Sequence, residues 1–197
     1  ITSDKILKKQ MKKLKFKKKI KLVNYKNLEH VNLNNETINL INIEFNQKKA
    51  FEKISNKSNK FIENSFLMAF RILKEKNIYK FINGPISKKN FLNKKFLGIT
   101  EYISKKFSVK ENCMLIYNKN LSVSPVTTHL PIKQVTNKIN KKIITQKVTL
   151  INNFYKKNLG FSPKIALLGL NPHCESIHKY NEDEKIIKPV VKKLNKK

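Results

Sequence analysis

KIALLGLNPH, residues 164–173, runs a short apolar stretch into a glycine, an Asn-Pro step and a histidine. A brief apolar run bounded by turn-forming residues reads as a buried strand, with the loop at its carboxyl end. Directly upstream, residues 141–159 carry Ile144, Val148, Ile151, Tyr155 and Leu159 on one helical stripe, and Gly160 follows as a C-cap. Helix then buried strand is the repeating unit of an α/β protein. The same alternation recurs outward. Strands are expected over 20–25, 37–45 and 78–83, and over 113–117 and 121–126 as a hairpin turning at Asn118-Lys119-Asn120. Helices are expected from Asp4, over 48–76, 87–93 and 100–107, and from about residue 182, with Thr2, Ser3 and Asp4 offering N-caps for the first. The pattern predicts an α/β fold with a largely parallel sheet.

At 197 residues the chain is long enough to bury a substantial core, and 40% of it is hydrophobic. No apolar run approaches the ~20 residues of a membrane span. Cys113 and Cys174, distant in sequence, form no disulfide framework, so a reducing cytoplasm is the expected compartment. The formal net charge of +30 resembles a nucleic-acid signature. Yet Arg71 is the only arginine among 43 basic residues, and the lysines are spread along the chain amid Asn and Ile. Proteins that read bases or clamp phosphates favour arginine's bidentate fork. No nucleic-acid motif is present, and the charge is read as compositional, with no specific nucleic-acid partner expected.

In open α/β sheets, ligands gather at the carboxyl ends of strands. His173 follows strand 164–170, and His129 follows strand 121–126 within TTHLPI; Pro172 and Pro131 stiffen the two loops. One such histidine alone reads as a satisfied loop residue. Two together point to a shared ligand, and neutral imidazole is a common metal ligand. A catalytic metal needs about three protein ligands, so a third has to come from elsewhere. His30 and His178 are expected at the surface, Cys113 in the core, and Cys174 as a small filler. Gly84-Pro85-Ile86-Ser87-Lys88, at a strand end opening a helix, offers backbone N–H groups and an ammonium to a phosphate, although it matches no Walker motif. Glu175, Glu182, Asp183 and Glu184 form the acidic cluster, mostly at a helix N-terminus.

NGPISK at 83–88, GITEYIS at 98–104, TTHLPI at 127–132 and GLNPH at 169–173 occur in one order. Together they resemble the 4-hydroxythreonine-4-phosphate dehydrogenase family of vitamin B6 biosynthesis, whose stretches read close to TGPISK, GHTE, TTHLPL and GLNPHAGE. The resemblance covers most of the chain from about residue 38. It implies an α/β/α sandwich like that of isopropylmalate dehydrogenase, present here in part. Residues 1–97 would belong to a first α/β/α domain, and residues 98–197 to a second that binds metal and substrate. It further implies a homodimer with a shared active site, NAD (or NADP), and a divalent metal (Zn, Mg or Co) held by His129 and His173. Thr100 would contact the small phosphorylated amino-acid substrate. The expected reaction is oxidation of 4-phosphohydroxy-L-threonine to a β-keto acid, which decarboxylates to 3-amino-2-oxopropyl phosphate. No residue is assigned as general base.

Three departures stand out. The family's histidine before the threonine of GHTE is Ile99 here, and the residues after GLNPH read CESIHKYN. The family also continues with a third metal histidine and begins with a Gly-rich turn, so the chain is expected to be a piece of a longer protein. Two other classes stay open: a related metal-dependent dehydrogenase of another phosphorylated hydroxy acid, and a decayed, non-enzymatic basic protein.

Overall fold

The computed structural model describes residues 1–93, 95–175, 177 and 180–196. The chain divides into two compact units, Ile1–Lys95 and Phe96–Lys197.

The first unit opens on helix α1, Asp4–Lys13. Ser3 caps it, accepting from the Ile6 amide, while its own hydroxyl donates to the Phe45 carbonyl at 3.0 Å. Asp4 in the first turn and Lys12 and Lys13 in the last complement the helix dipole. Strands β1 (Ile20–Leu22) and β2 (Ile38–Leu40) pair in parallel, with Ile20 opposite Ile38 and Leu22 opposite Leu40. The Ile38 amide and the Leu40 carbonyl bond to the β1 side, whereas the Ile41 carbonyl and the Ile43 amide bond to Thr2. Segment 38–43 therefore lies between two parallel neighbours, and Leu40 is 2% exposed. Helix α2 spans Asn59–Glu75 and buries Phe66, Ala69, Phe70 and Ile72, the spacing of one helical face. Phe66 stacks on Phe91 of the short helix α3 (Lys88–Phe91), and Phe81 packs against both Phe66 and Phe70.

In the second unit, helix α4 (Ile99–Lys106) precedes an antiparallel pair at Ile116 and Val123, which exchange both amide bonds at 2.8 and 3.0 Å. Asn118 Oδ1 accepts the Asn120 amide and closes the intervening turn. Helix α5 (Ile132–Lys138) leads to α6 (Lys141–Leu159), capped by the Asn140 side chain and ended by Gly160 at φ +80°. A π-helical turn, Asp183–Ile187, continues into α7 (Lys188–Leu194). The core gathers Ile139, Ile144, Ile187 and Val190, with Val148 and Leu167 packed against it.

Helices and a small parallel sheet agree with the α/β class, but several expected elements differ. Among the described residues, 78–83 and 164–170 pair with no strand. Leu167 still faces the core while Leu168 is 84% exposed. The run thus keeps one inward residue but, among the described residues, has no strand beside it to form a ladder, and alternation without a ladder is not a strand. The helix expected from 48 begins instead at Asn59. Glu52 accepts the amides of Lys48 and Lys49, folding 48–52 into a loop. Helix α5 was not expected. No helix among the described residues is long and apolar enough to cross a membrane.

Candidate functional site

Gly98 is the buried N-cap of α4, in extended conformation. A Cβ at this position would lie 2.8 Å from Glu101 Oε2 and 3.3 Å from His129 Nε2. Two separate motifs, GITE at 98–101 and TTHLPI at 127–132, are thereby brought together through a glycine with no room for a side chain. Glu101 sits in the first turn of α4, where the helix dipole favours a carboxylate. Its Oε2 is shielded from solvent and has no hydrogen-bond partner. His129 is exposed and holds φ +57°, a left-handed conformation uncommon outside glycine but enriched for histidine. Thr100 is exposed on the same first turn of α4, and Ile99 beside it is half-buried.

His173 is exposed in a loop organised by Asn171. Asn171 Oδ1 accepts the His173 amide at 2.9 Å, its carbonyl accepts the Cys174 amide, and its Nδ2 donates to the Glu175 carbonyl. Asp183, 4% exposed, reaches back to this loop and accepts the Leu170 amide at 3.3 Å. A Cβ on Gly169 would come within 2.6 Å of Cys174 Sγ and 2.9 Å of Asp183 Oδ1. The glycine of GLNPH is therefore required by close approach, and its φ lies outside the left-handed region. From the sequence, Asp183 reads as one member of an acidic helix start; its second task depends on a contact thirteen residues away.

Among the described residues, no three of His, Cys, Asp or Glu gather in a group able to hold a metal ion. His129, Glu101 and His173 thus do not form a three-ligand set as the side chains stand. Ser87 caps the four-residue α3, accepting the Asn90 amide and donating to Asn90 Oδ1, so its hydroxyl is engaged. Residues 84–87 line a cavity of about 840 Å³ in the first unit, together with Phe45, Phe66 and Asn83. Cys113 is half-buried rather than core, with Sγ 3.2 Å from Ser124 Oγ. It lies beyond the single cross-strand pair, where no further ladder covers it. Cys174 is exposed at φ +55°, and His30 is exposed as expected. His178 lies outside the described residues.

The model of the pyridoxal phosphate biosynthetic protein PdxA family matches residues 1–197. The chain belongs to the PdxA family. Among curated relatives, the 4-hydroxythreonine-4-phosphate dehydrogenase of Sulfurihydrogenibium sp. is 37% identical over 161 residues, covering 80% of this chain and 49% of its own. The enzyme of the same name from Aquifex aeolicus is 36% identical over 112 residues, covering 55% of this chain and 34% of its own. The solved 4-hydroxythreonine-4-phosphate dehydrogenase of Klebsiella pneumoniae superposes with a TM-score of 0.81 at 18% identity, over 99% of this chain and 61% of that one. That of Burkholderia phymatum gives 0.77 at 22% identity, over 99% and 60%. The chain spans about half the length of the first of these curated relatives. It shares the fold of the corresponding part of the solved PdxA dehydrogenases.

Proposed function

We propose that this PdxA chain belongs to an NAD-dependent, divalent-metal-dependent dehydrogenase. Its substrate would be 4-phosphohydroxy-L-threonine and its product a β-keto acid that decarboxylates to 3-amino-2-oxopropyl phosphate. The family match over the whole chain carries this reading. The approach of Glu101 and His129 to Gly98 supports it, because it joins two of the motifs on which the resemblance rests. The fold is read as the isopropylmalate-dehydrogenase-like α/β/α sandwich. The second unit is read as the metal- and substrate-binding part, and the working state as a cytoplasmic homodimer with a shared site.

The residues present fit a divalent ion in their donor chemistry: an imidazole and a shielded, unpartnered carboxylate oxygen approach one point. His129 and His173 would hold the ion. When bound, such an ion lowers the pKa of a coordinated alcohol and holds negative charge on oxygen as carbon dioxide leaves. Nicotinamide supplies the hydride acceptor. Thr100, exposed where the first amides of α4 are unpaired, offers a hydroxyl to the substrate phosphate beside backbone donors suited to anions. The left-handed turn at His129 and the Asn171-bonded turn at His173 fix where the two imidazoles leave the backbone.

The test is steady-state NADH formation from 4-phosphohydroxy-L-threonine and NAD, by the chain extended to the length of its relatives. Turnover is expected, with His129→Ala abolishing it and Thr100→Ala raising KM. Restoring the family histidine by Ile99→His is expected to raise kcat/KM. Absence of turnover with this substrate, alongside turnover of another phosphorylated hydroxy acid, would transfer the reading to a related dehydrogenase.

A further inference from the structure

Nine of the fourteen residues 8–21 are lysine, where 43 basic residues in 197 would place about three. This run therefore stands above the compositional background of the chain. Neither Asp nor Glu occurs between Asp4 and Glu29. Lys8 pairs with Asp4, and Lys9 and Lys21 donate to the carbonyls of Gln47 and Asn32. The other six, Lys12, Lys13, Lys15, Lys17, Lys18 and Lys19, are exposed, with no ion pair or side-chain hydrogen bond among the described residues. The dipole of α1 accounts for Lys12 and Lys13 in its last turn, and the remaining four lie beyond it.

The backbone holds these side chains in one place. The Lys15 amide donates to the Lys12 carbonyl and the Phe16 amide to the Met11 carbonyl, a Schellman closure of α1. Its left-handed residue is Lys15, at φ +56°, where glycine is the usual occupant. A charge is thus kept there at a cost to the backbone. Leu14 and Phe16, on either side, are 66% and 53% exposed. A merely solvated lysine face has no use for an exposed leucine and phenylalanine. Apolar side chains ringed by lysines suit a surface where they enter the headgroup layer while the ammoniums meet anionic lipids. Nucleic acid fits less well: the run has no arginine to grip phosphate and only one aromatic ring to stack on bases.

We propose that residues 12–19 are a docking patch for an anionic lipid membrane. Leu14 and Phe16 insert among the headgroups, and the six unpaired lysines meet the negative charge around them. The association is with the membrane surface, since no helix among the described residues can cross it. The proposal is independent of the dehydrogenase reading.

The experiment measures co-sedimentation of residues 1–197 with phosphatidylcholine vesicles, with and without phosphatidylglycerol, at physiological ionic strength. Binding is expected only with the anionic lipid. Each lysine near such a surface strengthens binding about fivefold, so replacing Lys17, Lys18 and Lys19 by Gln should weaken it about 100-fold. Replacing Lys156, Lys157 and Lys164, exposed in the second unit, removes the same charge and should cost less than about fivefold. Leu14→Ser with Phe16→Ser should weaken vesicle binding at least about tenfold. Lys15→Gly separates docking from folding: it relieves the left-handed backbone, so the urea midpoint should rise while vesicle binding falls about fivefold. That variant serves if the Leu14 and Phe16 substitutions disturb the fold, which far-UV circular dichroism checks. Absence of binding to the anionic vesicles would overturn the proposal. So would equal losses in the two triple-lysine variants, or unchanged binding in the folded Leu14 and Phe16 variant. Tighter binding of single-stranded RNA than of vesicles, through the same lysines, would instead make the patch a nucleic-acid surface and overturn the proposal.

Discussion

Gly169→Ala probes the GLNPH loop where, of the four glycines, an added Cβ would meet the shortest contact. The new methyl would sit 2.6 Å from Cys174 Sγ, 2.9 Å from Asp183 Oδ1 and 3.3 Å from Cys174 Cβ. Asp183 cannot easily retreat, because it is buried and holds the Leu170 amide. Inserting a methyl into such a site costs about 1–3 kcal/mol. Against that, alanine restricts the unfolded chain and returns about 0.4–1 kcal/mol where its backbone conformation is allowed. The clash wins, leaving a net loss of about 1–2 kcal/mol. Urea unfolding followed by circular dichroism should show a lower midpoint at unchanged slope. The same substitution in a Cys174→Ala background should cost less, since the 2.6 Å contact disappears while the two longer ones remain. Unchanged or increased stability in Gly169→Ala would refute this account of the loop. So would an identical cost in the two backgrounds.

Three further outcomes are expected. Ile144→Ala, at a side chain 2% exposed among Ile139, Ile187 and Val190, should destabilise by about 2–5 kcal/mol in urea unfolding. Glu29 lies 2.8 Å from the Lys76 ammonium, whose hydrogen bond and charge hold the carboxyl below its ordinary range. Because the folded-state value is lowered, the stabilisation is present above the unfolded carboxylate's pKa and fades as pH falls through the lowered one. The difference in urea midpoint between the parent chain and Glu29→Gln should therefore shrink toward zero on acidification and on adding salt. Nucleic-acid binding should be weak, indifferent to sequence and steeply lost with salt by filter or fluorescence titration. Nanomolar binding of one particular sequence at physiological salt would contradict the compositional reading of the lysines.

Elements written locally were legible in the sequence, and those that depend on distant partners were not. Helix α6 carries its own stripe and stop, and the structure spans the expected 141–159, buries Ile144 and Tyr155 of the stripe and ends at Gly160, with Leu159 at the last turn left exposed. The Asn118-Lys119-Asn120 turn likewise closes on its own side chain. Residues 164–170 look equally clear as a strand, yet a strand exists only by virtue of a neighbour, and no local pattern supplies one. The start of α2 is hidden for a related reason. The 48–58 stretch has helix-forming composition, but Glu52 binds two amides that a helix would have placed elsewhere. The candidate site divides in the same way. His129 could be singled out because it combines the right chemistry with a stiff loop. Glu101 could not, since a carboxylate three residues into a helix is already explained by the dipole. Its shielded oxygen becomes informative only once Gly98 is known to lie against His129, a contact 31 residues apart in sequence that the separate motifs do not encode. Asp183 repeats the lesson at the second loop, where a carboxylate that reads as helix capping also fixes the backbone leading to His173. In both loops the glycine is the residue that betrays the hidden acid: it is small because a carboxylate and a second side chain already occupy the place its Cβ would take.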